Sequence, residues 1–387
     1  MKKITDILKR ALTGSIAVTA YAAAAVMLHA CSKTAEPAED EDGDYIAFAS
    51  TAPCTKTGAG DTMADTDAKL QAQPFGIYGS KRLEGSTTAS NVFLSSAAQE
   101  VGWGYEGSGT SGKYCWTYAP KRKWETSMHY RFRAYWPYTA EVNPSSDATR
   151  LAVEYKSTVE QYDLLVAHTT RYPKDEGISA VKMQFHHALS ALRFEVKYKD
   201  EETTKGLTDY VTDFHIKGLY TVGTLMYGYF SALTIFSGDA LPAAWQMYAD
   251  NSTKADAATE EDPYEKIRWY KSSNTFDSTS ELFSWSGERR FHKASKATDT
   301  DETATVFDGD RLVFVIPQTL SNGDGATTAN FKLRGAGDAL HTVTLPTTEL
   351  QPGKIYTFTL VISSSYVTVK VTIRDWDELQ SNVDINL

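Results

Sequence analysis

The sequence predicts an all-β fold made of β-sandwiches. Its 387 residues include 22 Tyr, 16 Phe and 8 Trp, side chains that pack well in strands. Short segments of alternating apolar and polar residues follow one another, separated by turns rich in Gly, Pro and Asn. No long amphipathic helical pattern occurs in the sequence after residue 31. Many short strands without helices are typical of sandwiches, and a chain of this length predicts two domains.

The first 44 residues precede the predicted fold. Basic residues near the start are followed by an Ala-rich apolar run from Ala11 to Leu28, the pattern of a signal peptide over residues 1–30. Cys31 follows a small residue, as in a bacterial lipobox, which predicts cleavage before Cys31 and lipidation of its sulfur. The alternative is an uncleaved membrane anchor. Residues 31–44 are rich in carboxylates and predict an acidic tether in solvent.

Strand candidates follow one another along the rest of the chain. Alternation with a period of two marks them, and Tyr130, Phe132, Ala134 and Trp136 are a typical example. The strand candidates cover residues 45–50, 75–78, 114–118, 129–138, 162–167, 211–219, 223–230, 311–316, 331–333, 341–345 and 355–362.

The stretch Phe185–Val196 separates two sets of these candidates. We therefore predict an N-terminal domain over residues 45–184 and a C-terminal domain over residues 185–387. Residues 238–305 contain an acidic tract and scattered aromatic side chains, so they predict a long irregular insertion in the second domain.

The adjacent histidines His186 and His187 are the first candidates for chemistry. Neighbouring side chains on a strand point to opposite faces, whereas a zinc site needs three or four converging ligands. The sequence contains no G-x-S-x-G motif and no glycine-rich phosphate loop between a strand and a helix. We therefore predict no enzyme activity, no metal and no cofactor. The formal net charge of −10 argues against a nucleic-acid partner.

Two cysteines lie within the predicted fold. Cys54 and Cys115 could pair in an oxidising compartment, although the sequence does not give the distance between them. Their pairing therefore stays open at the level of sequence.

The tryptophans have two interpretations. Trp245, Trp269 and Trp285 lie in the irregular region and are the best candidates for stacking on a ligand. The alternative is packing in the core, which is the more frequent role of large aromatic side chains.

The end of the chain shows the clearest strand pattern. Apolar residues alternate strictly with polar ones from Val367 to Arg374, Trp376 follows, and the alternation resumes from Val383 to Leu387. Its apolar members are Val367, Val369, Val371, Ile373, Val383, Ile385 and Leu387.

Six segments together resemble the fimbrillin family of Bacteroidales-type (type V) pili. They are FRAYWPY at 132–138, YDLLVA at 162–167, FHHALSALRFEV at 185–196, VIPQTL at 315–320, LQPGKIYTFTLVI at 350–362 and VTVKVTIRDW at 367–376. The order and spacing of these segments carry the resemblance. It implies two transthyretin-like β-sandwich domains in tandem and a lipoprotein precursor sent to the outer membrane.

The resemblance also implies a route of assembly. In polymerising members of the family, a trypsin-like protease removes the lipidated segment with its first strand, and a donor strand of another subunit fills the groove. Here the displaced strand would contain Tyr45, Ile46 and Phe48, and the cleaved residue would be Lys56, with Lys69 and the Lys81-Arg82 pair as alternatives. The alternating tail listed above would be the donor, or else an ordinary last strand of its own domain.

A disulfide between Cys54 and Cys115 would conflict with this route, because the cut segment would stay attached. Two functions follow from the sequence. The first is a pilus subunit or pilus-associated surface lipoprotein that binds other fimbrillin subunits and mediates adhesion. The alternative is a lipid-anchored surface protein that does not polymerise and binds a glycan or a host protein.

Overall fold

The regular elements that the computed structural model describes are almost all short strands, which confirms the prediction of an all-β fold. It describes residues 45–51, 67–93, 97–107, 112–138, 143–146, 150–157, 162–198, 210–228, 246–249, 266–271, 281–285, 289–290, 303–305, 312–321, 323, 325–333, 340–362 and 367–375. Within these ranges, no helix is long and apolar enough to cross a bilayer.

The elements of the first half end just before the Phe185–Val196 stretch or within it. They are β1 (Phe48–Thr51), α1 (Asp67–Gln71), β2 (Phe75–Leu83), β3 (Ala89–Asn91), β4 (Gln99–Glu106), β5 (Lys113–Thr117), β6 (Met128–Trp136), β7 (Asn143–Ser146), β8 (Arg150–Lys156), β9 (Leu165–Arg171), α2 (Pro173–Glu176), β10 (Val181–Gln184) and β11 (His186–His187).

The elements that the structure describes in the second half are all strands. They are β12 (Ser190–Tyr198), β13 (Tyr210–Lys217), β14 (Val222–Gly228), β15 (Gln246–Ala249), β16 (Lys266–Lys271), β17 (Glu281–Trp285), β18 (Arg289–Arg290), β19 (Thr303–Thr305), β20 (Val313–Val315), β21 (Thr319–Leu320), β22 (Thr328–Leu333), β23 (Leu340–Thr344), β24 (Thr348–Glu349), β25 (Lys354–Ile362) and β26 (Val367–Asp375).

A nine-stranded sheet forms most of the first half. Its strand order is β10-β1-β5-β4-β2-β6-β9-β11, and β3 pairs with β2. Strands β9 and β10 come from opposite halves of this order and lie in contact, so the sheet folds over on itself. Phe48, Phe75, Phe132 and Val181 come from four of its strands and pack into one buried cluster. The first strand therefore contributes directly to the core that the sheet encloses.

Two further sheets face each other in the second half. One has the order β19-β12-β25-β26 with β20 beside β12, and the other has the order β17-β13-β22-β23 with β18 beside β13. Phe194, Phe214, Phe331 and Phe358 pack in the core between them. The Phe194 and Phe214 ring centroids lie 5.0 Å apart. Two sheets with an apolar core between them form a β-sandwich.

A third five-stranded sheet combines strands from both predicted domains. Its order is β15-β16-β14-β8-β7, and Arg150–Lys156 pairs antiparallel with Val222–Gly228. Tyr135, Tyr155 and Trp269 lie in the apolar cluster on one face of this sheet, together with residues of the Phe185–Val196 stretch. This stretch is therefore the place where several sheets meet. The domain boundary between residues 184 and 185 stays a prediction.

Strands also occur where the sequence predicts long loops. Within residues 238–305 the structure contains β15 to β19. Strand β16 is paired on both sides, with β14 and with β15. Such long-range pairing stabilises short strands whose local sequence carries little periodicity.

Candidate assembly site

The first strand occupies an internal position in the nine-stranded sheet. Ile46 is fully buried and Phe48 is only 5% exposed. The Phe48 ring centroid lies 5.6 Å from that of Phe132 and 6.3 Å from that of Phe75, in both cases with nearly perpendicular rings. The Tyr118 ring lies 5.6 Å away on another side. We call this surround of Phe75, Tyr118 and Phe132 the first-strand pocket.

Tyr45 differs from the other two residues of the predicted first strand. The strand begins at Phe48 rather than at Tyr45, and Tyr45 forms only an isolated bridge with Lys123. Its side chain is exposed, and the Lys123 Nζ atom lies 5.0 Å from its ring centroid. Tyr45 therefore lies at the protein surface, whereas the side chains of Ile46 and Phe48 are buried in the core.

Backbone hydrogen bonds hold the first strand at both of its edges. The Ile46 amide donates to the Arg122 carbonyl over 2.7 Å, and the Val181 amide donates to the Ala47 carbonyl over 2.8 Å. Strand β1 runs parallel to β10, with a register from Phe48 opposite Val181 to Thr51 opposite Gln184. Removal of β1 would leave a gap lined by unsatisfied backbone groups, and such a gap can accept another strand.

The Tyr118 hydroxyl ties the first strand to the pocket. It donates to the Ile46 carbonyl over 2.9 Å and accepts a hydrogen bond from the Arg122 amide over 3.2 Å. Burial raises the pKa of Tyr118 to about 12, and the hydrogen bond from the Arg122 amide opposes this shift. The hydroxyl is therefore protonated at neutral pH and remains available as a donor.

The structure distinguishes the candidates for proteolytic cleavage. Lys81 and Arg82 lie inside β2 and are paired on both sides, with β3 and with β6, and Lys81 forms an ion pair with Glu125. Lys69 lies in α1 and precedes Leu70, which is fully buried. Proteases prefer exposed, extended loops, so these three positions are poor substrates in the folded protein. Lys56 lies outside the described residues.

The carbonyl of Leu70 is also anchored. The Trp136 indole Nε1 atom donates to it over 3.1 Å. A cut after Lys69 would disrupt α1 and this contact.

The last described strand is integrated into its own sheet. Strand β26 pairs antiparallel with β25 over nine residue pairs, from Val367 opposite Ile362 to Asp375 opposite Lys354. Val367, Val369 and Val371 are half-buried and pack against the core of the C-terminal sandwich. Ile373 lies on the same face but is 57% exposed. The alternating pattern therefore predicts this strand and its apolar face correctly.

The predicted donor tail extends beyond this strand. Val383, Ile385 and Leu387 lie outside the described residues, and so does the predicted lipidation site Cys31. For residues 367–373, the structure shows pairing within the same chain, which is the alternative interpretation of the tail.

A sequence profile described as fimbrillin-like matches residues 62–376, which is most of the chain. The chain belongs to the fimbrillin-like family. All six segments that carried the resemblance lie within the matched range. Membership in this family confirms the resemblance and indicates a cell-surface protein.

A comparison of this fimbrillin-like protein with solved structures finds similar chains. The match with a fimbrial protein from Bacteroides vulgatus covers 86% of this chain and 99% of that protein, with 15% identity. Its TM-score of 0.52 shows a shared fold. A candidate cell adhesion protein from Bacteroides uniformis covers 87% and 99%, with 16% identity and a TM-score of 0.44. The C-terminally truncated tip fimbrial protein Mfa3 of Porphyromonas gingivalis covers 86% and 99%, with 8% identity and a TM-score of 0.31. A search of curated proteins finds no match.

Cys115 of the fimbrillin-like chain is a free thiol on β5. Its Sγ atom lies 3.2 Å from Glu106 Oε2. Burial is the main cause that raises the pKa of the thiol to about 11, and the hydrogen bond to Glu106 contributes in the same direction. The thiol is therefore protonated and weakly nucleophilic at neutral pH. Cys54 lies outside the described residues, so its pairing with Cys115, which the sequence leaves open, is not tested.

The aromatic residues predicted to stack on a ligand need one correction. Trp269 is 0% exposed, and its indole Nε1 atom donates to the Ala188 carbonyl over 3.0 Å. A ring that is enclosed and hydrogen-bonded in this way cannot stack on a ligand, so the prediction for Trp269 is wrong. Trp285 ends β17, and its side chain lies outside the described residues, as does the whole of Trp245.

Exposed aromatic residues that were not predicted as ligand candidates occur on β4 and β5. Trp103, Tyr105 and Tyr114 are all exposed. Gly102 and Gly104 alternate with two of these rings, and this alternation of glycine with aromatic residues was the signal available in the sequence.

The adjacent histidines point to opposite sides, as strand geometry predicts. His186 is exposed, whereas His187 is buried, and its Nδ1 atom lies 2.8 Å from Oδ2 of the fully buried Asp163. The residues described by the structure include no group of three or more His, Cys, Asp or Glu side chains that could hold a metal ion. The pair of His187 and Asp163 links β11 to the segment before β9 and has a structural role.

Proposed function

We propose that the chain is a structural pilus subunit or a pilus-associated surface lipoprotein. It would mature by proteolysis, assemble with other fimbrillin subunits by donor-strand exchange, and mediate adhesion. Membership in the fimbrillin-like family supports a role in pili or adhesion, and it supports a structural rather than an enzymatic protein.

The observation that carries the proposal is the way the first strand is held. Strand β1 lies between β5 and β10, and two side chains of the first-strand segment, Ile46 and Phe48, are buried in the core. A segment of another subunit with apolar residues two positions apart offers the same side chains and the same backbone groups. The pocket is therefore suited to exchange of one strand for another.

The positions of the other candidates support one choice of cleavage site and donor. Lys56 follows β1, and the other candidate lysines lie in a helix or in a doubly paired strand. Cleavage after Lys56 would release β1 and leave the next core residue, Leu70, in place. Val383, Ile385 and Leu387 are the better donor residues, because residues 367–375 complete the chain's own sheet.

The N-terminal segment would determine the location of the precursor. Lipid on Cys31 would hold the protein at the outer membrane, and the acidic segment 31–44 would separate the lipid from the fold. Removal of this segment would exchange the lipid anchor for attachment to neighbouring subunits.

The proposal is tested with purified protein that lacks residues 1–30. Limited trypsin treatment should produce a new N-terminus at Thr57, followed by ordered oligomers in size-exclusion chromatography. Lys56→Gln should abolish both results. Lys69→Gln is the matched control and should leave both unchanged, because Lys69 lies in a helix.

A protein that is cut at Lys56 and stays monomeric would contradict assembly by strand exchange. It would favour the alternative, a lipid-anchored surface protein that does not polymerise and binds a glycan or a host protein.

A further inference from the structure

Part of the hairpin formed by β4 and β5 extends beyond the residues that pair with β2 and β1. Strand β4 pairs with β2 through Gln99–Val101, and the following residues pair with β5, from Gly102 opposite Thr117 to Glu106 opposite Lys113. Strand β5 pairs with β1 through Trp116. We call residues 102–106 and 113–117 the aromatic ribbon.

One face of the aromatic ribbon consists of aromatic side chains. Trp103 lies opposite Trp116 and Tyr105 lies opposite Tyr114, and in each pair the ring centroids are 5.4 Å apart. Trp116 anchors this row, because it is buried and its ring lies 4.8 Å from that of Phe75. The other three rings are open to solvent.

The exposed area of this face is small. Trp103 is 37% exposed, Tyr105 is 50% exposed and Tyr114 is 67% exposed. With roughly 200 Å² for each aromatic side chain, the three rings offer roughly 300 Å², whereas each partner in a stable protein complex contributes about 800 Å². The face is therefore too small for stable docking of a protein or of a second copy of the chain, and it suits a ligand of a few rings.

The distribution of charge on the ribbon also limits the kind of ligand that it can bind. Strand alternation places Glu106 and Lys113 on the face opposite the aromatic row. Glu106 forms an ion pair with Lys121 at 2.9 Å. The aromatic row itself is uncharged, on a chain whose formal net charge is −10. An uncharged face on an acidic protein fits a neutral ligand and disfavours an acidic one.

The composition of the segment supports recognition rather than simple exposure. Residues 102–118 consist largely of Gly, Ser, Thr, Tyr and Trp, as binding loops of antibodies do. In such surfaces, Tyr and Trp provide rigid contact area at a small entropic cost, and their polar atoms hydrogen-bond at the rim.

We propose that the aromatic ribbon binds a neutral oligosaccharide or polysaccharide chain. The apolar faces of successive sugar rings would stack on Trp103, Tyr105 and Tyr114, and the tyrosine hydroxyls would bond to sugar hydroxyls. The inference goes beyond strand exchange and is independent of it, because the ribbon is formed in the uncut chain.

Native electrophoresis of the uncut protein in gels that contain polysaccharide tests the proposal. Four neutral probes are used, a β-glucan, an α-mannan, a xylan and a galactan, with polygalacturonate as the acidic probe. We expect at least one neutral probe to retard the protein. Tyr114→Leu and Trp103→Leu should each weaken that binding about tenfold, because each removes one stacking partner. Tyr114→Phe keeps the ring and should bind within about twofold of the parent.

The control is Leu340→Ser, which removes an apolar side chain that is 54% exposed on β23, far along the chain from the ribbon. It should bind as the parent does. Tyr114 is the most exposed of the three rings, so its variants should also retain the parent melting temperature. The proposal is overturned if no neutral probe retards the protein, if polygalacturonate alone does so, or if the leucine variants bind like the parent.

Discussion

The first and last described strands are held in different ways. Strand β1 has four residues and depends on Ile46 and Phe48, which are buried in the core of the nine-stranded sheet. Strand β26 has nine residues and is paired with β25 along its whole length, but its apolar side chains are at most half-buried. A short strand that depends on two side chains and a few backbone hydrogen bonds can be replaced by another segment that brings similar ones. A strand held by a long ladder of backbone pairs belongs to its own sheet.

The difference also has an energetic side. Full burial of an Ile and a Phe side chain contributes about 1.5–3 kcal/mol each, a large share of the roughly 5–15 kcal/mol that stabilises a typical domain. Loss of β1 would thus weaken the N-terminal half without removing its other core residues. A replacing strand could restore most of this free energy.

The largest effect is expected at the first strand. Phe48→Ala should lower the free energy of unfolding of the uncut chain by about 3–5 kcal/mol, because it empties the first-strand pocket. Urea denaturation followed by tryptophan fluorescence measures this change. Tyr45→Ala is the control, and it should change stability by less than about 0.5 kcal/mol, because the Tyr45 side chain is exposed. A loss below about 1 kcal/mol for Phe48→Ala would show that the pocket does not hold the strand.

A smaller effect is expected at the last strand. Val369→Asp places a charge against the core of the C-terminal sandwich and should cost about 2–3 kcal/mol. Thr368→Asp introduces the same side chain on the exposed face of the same strand and should be nearly neutral. Equal losses for both variants in urea denaturation would contradict the burial of only one face of β26.

Tyr118→Phe tests the polar contact with the first strand. Loss of the hydrogen bond to the Ile46 carbonyl should cost about 1 kcal/mol at pH 7. The raised pKa gives this contribution a pH dependence. The folded protein holds the phenol proton more tightly than the unfolded chain, so the stability is fully present below pH 10 and is lost as pH rises towards about 12.

The phenylalanine variant lacks this titration. Its deficit relative to the parent should therefore shrink when thermal unfolding is measured above pH 10. A deficit that stays constant across this range would rule out Tyr118 as the titrating group.

The smallest effect is expected for Ile373→Thr. The side chain is exposed at the end of β26, and Thr is also β-branched, so stability should change by less than about 0.5 kcal/mol. Thermal melting measures this change. A loss well above that value would mean that Ile373 is covered in the folded protein.

The two ends also show what can be predicted from sequence. The alternation from Val367 to Ile373 is local, and it predicted a strand with one apolar face, which the structure confirms. The partners of each strand depend on distant residues. The parallel pairing of Phe48 with Val181 and the pairing of Arg150–Lys156 with Val222–Gly228 have no local signal.

Individual side chains show the same limit. Trp269 belongs to a region that the sequence predicts to be irregular, but other sheets enclose it, whereas Trp103 is exposed. Strand geometry correctly predicted that the side chains of His186 and His187 lie on opposite faces. The partner of His187, Asp163, could be identified only from the fold. Burial in a multi-sheet protein is decided by sheets that come together from far along the chain.

Hydrogen exchange of the Val181 amide tests the central claim most directly, because this amide donates to the Ala47 carbonyl of the first-strand segment. Exchange is measured in the uncut chain, after cleavage and release of the first segment, and after assembly. The account predicts that Val181 loses protection on release and regains it on assembly, while the amides of Val369 and Val371 in β26 stay unchanged. Protection of Val181 that survives release, or loss of protection in β26 on assembly, would contradict exchange at the first strand.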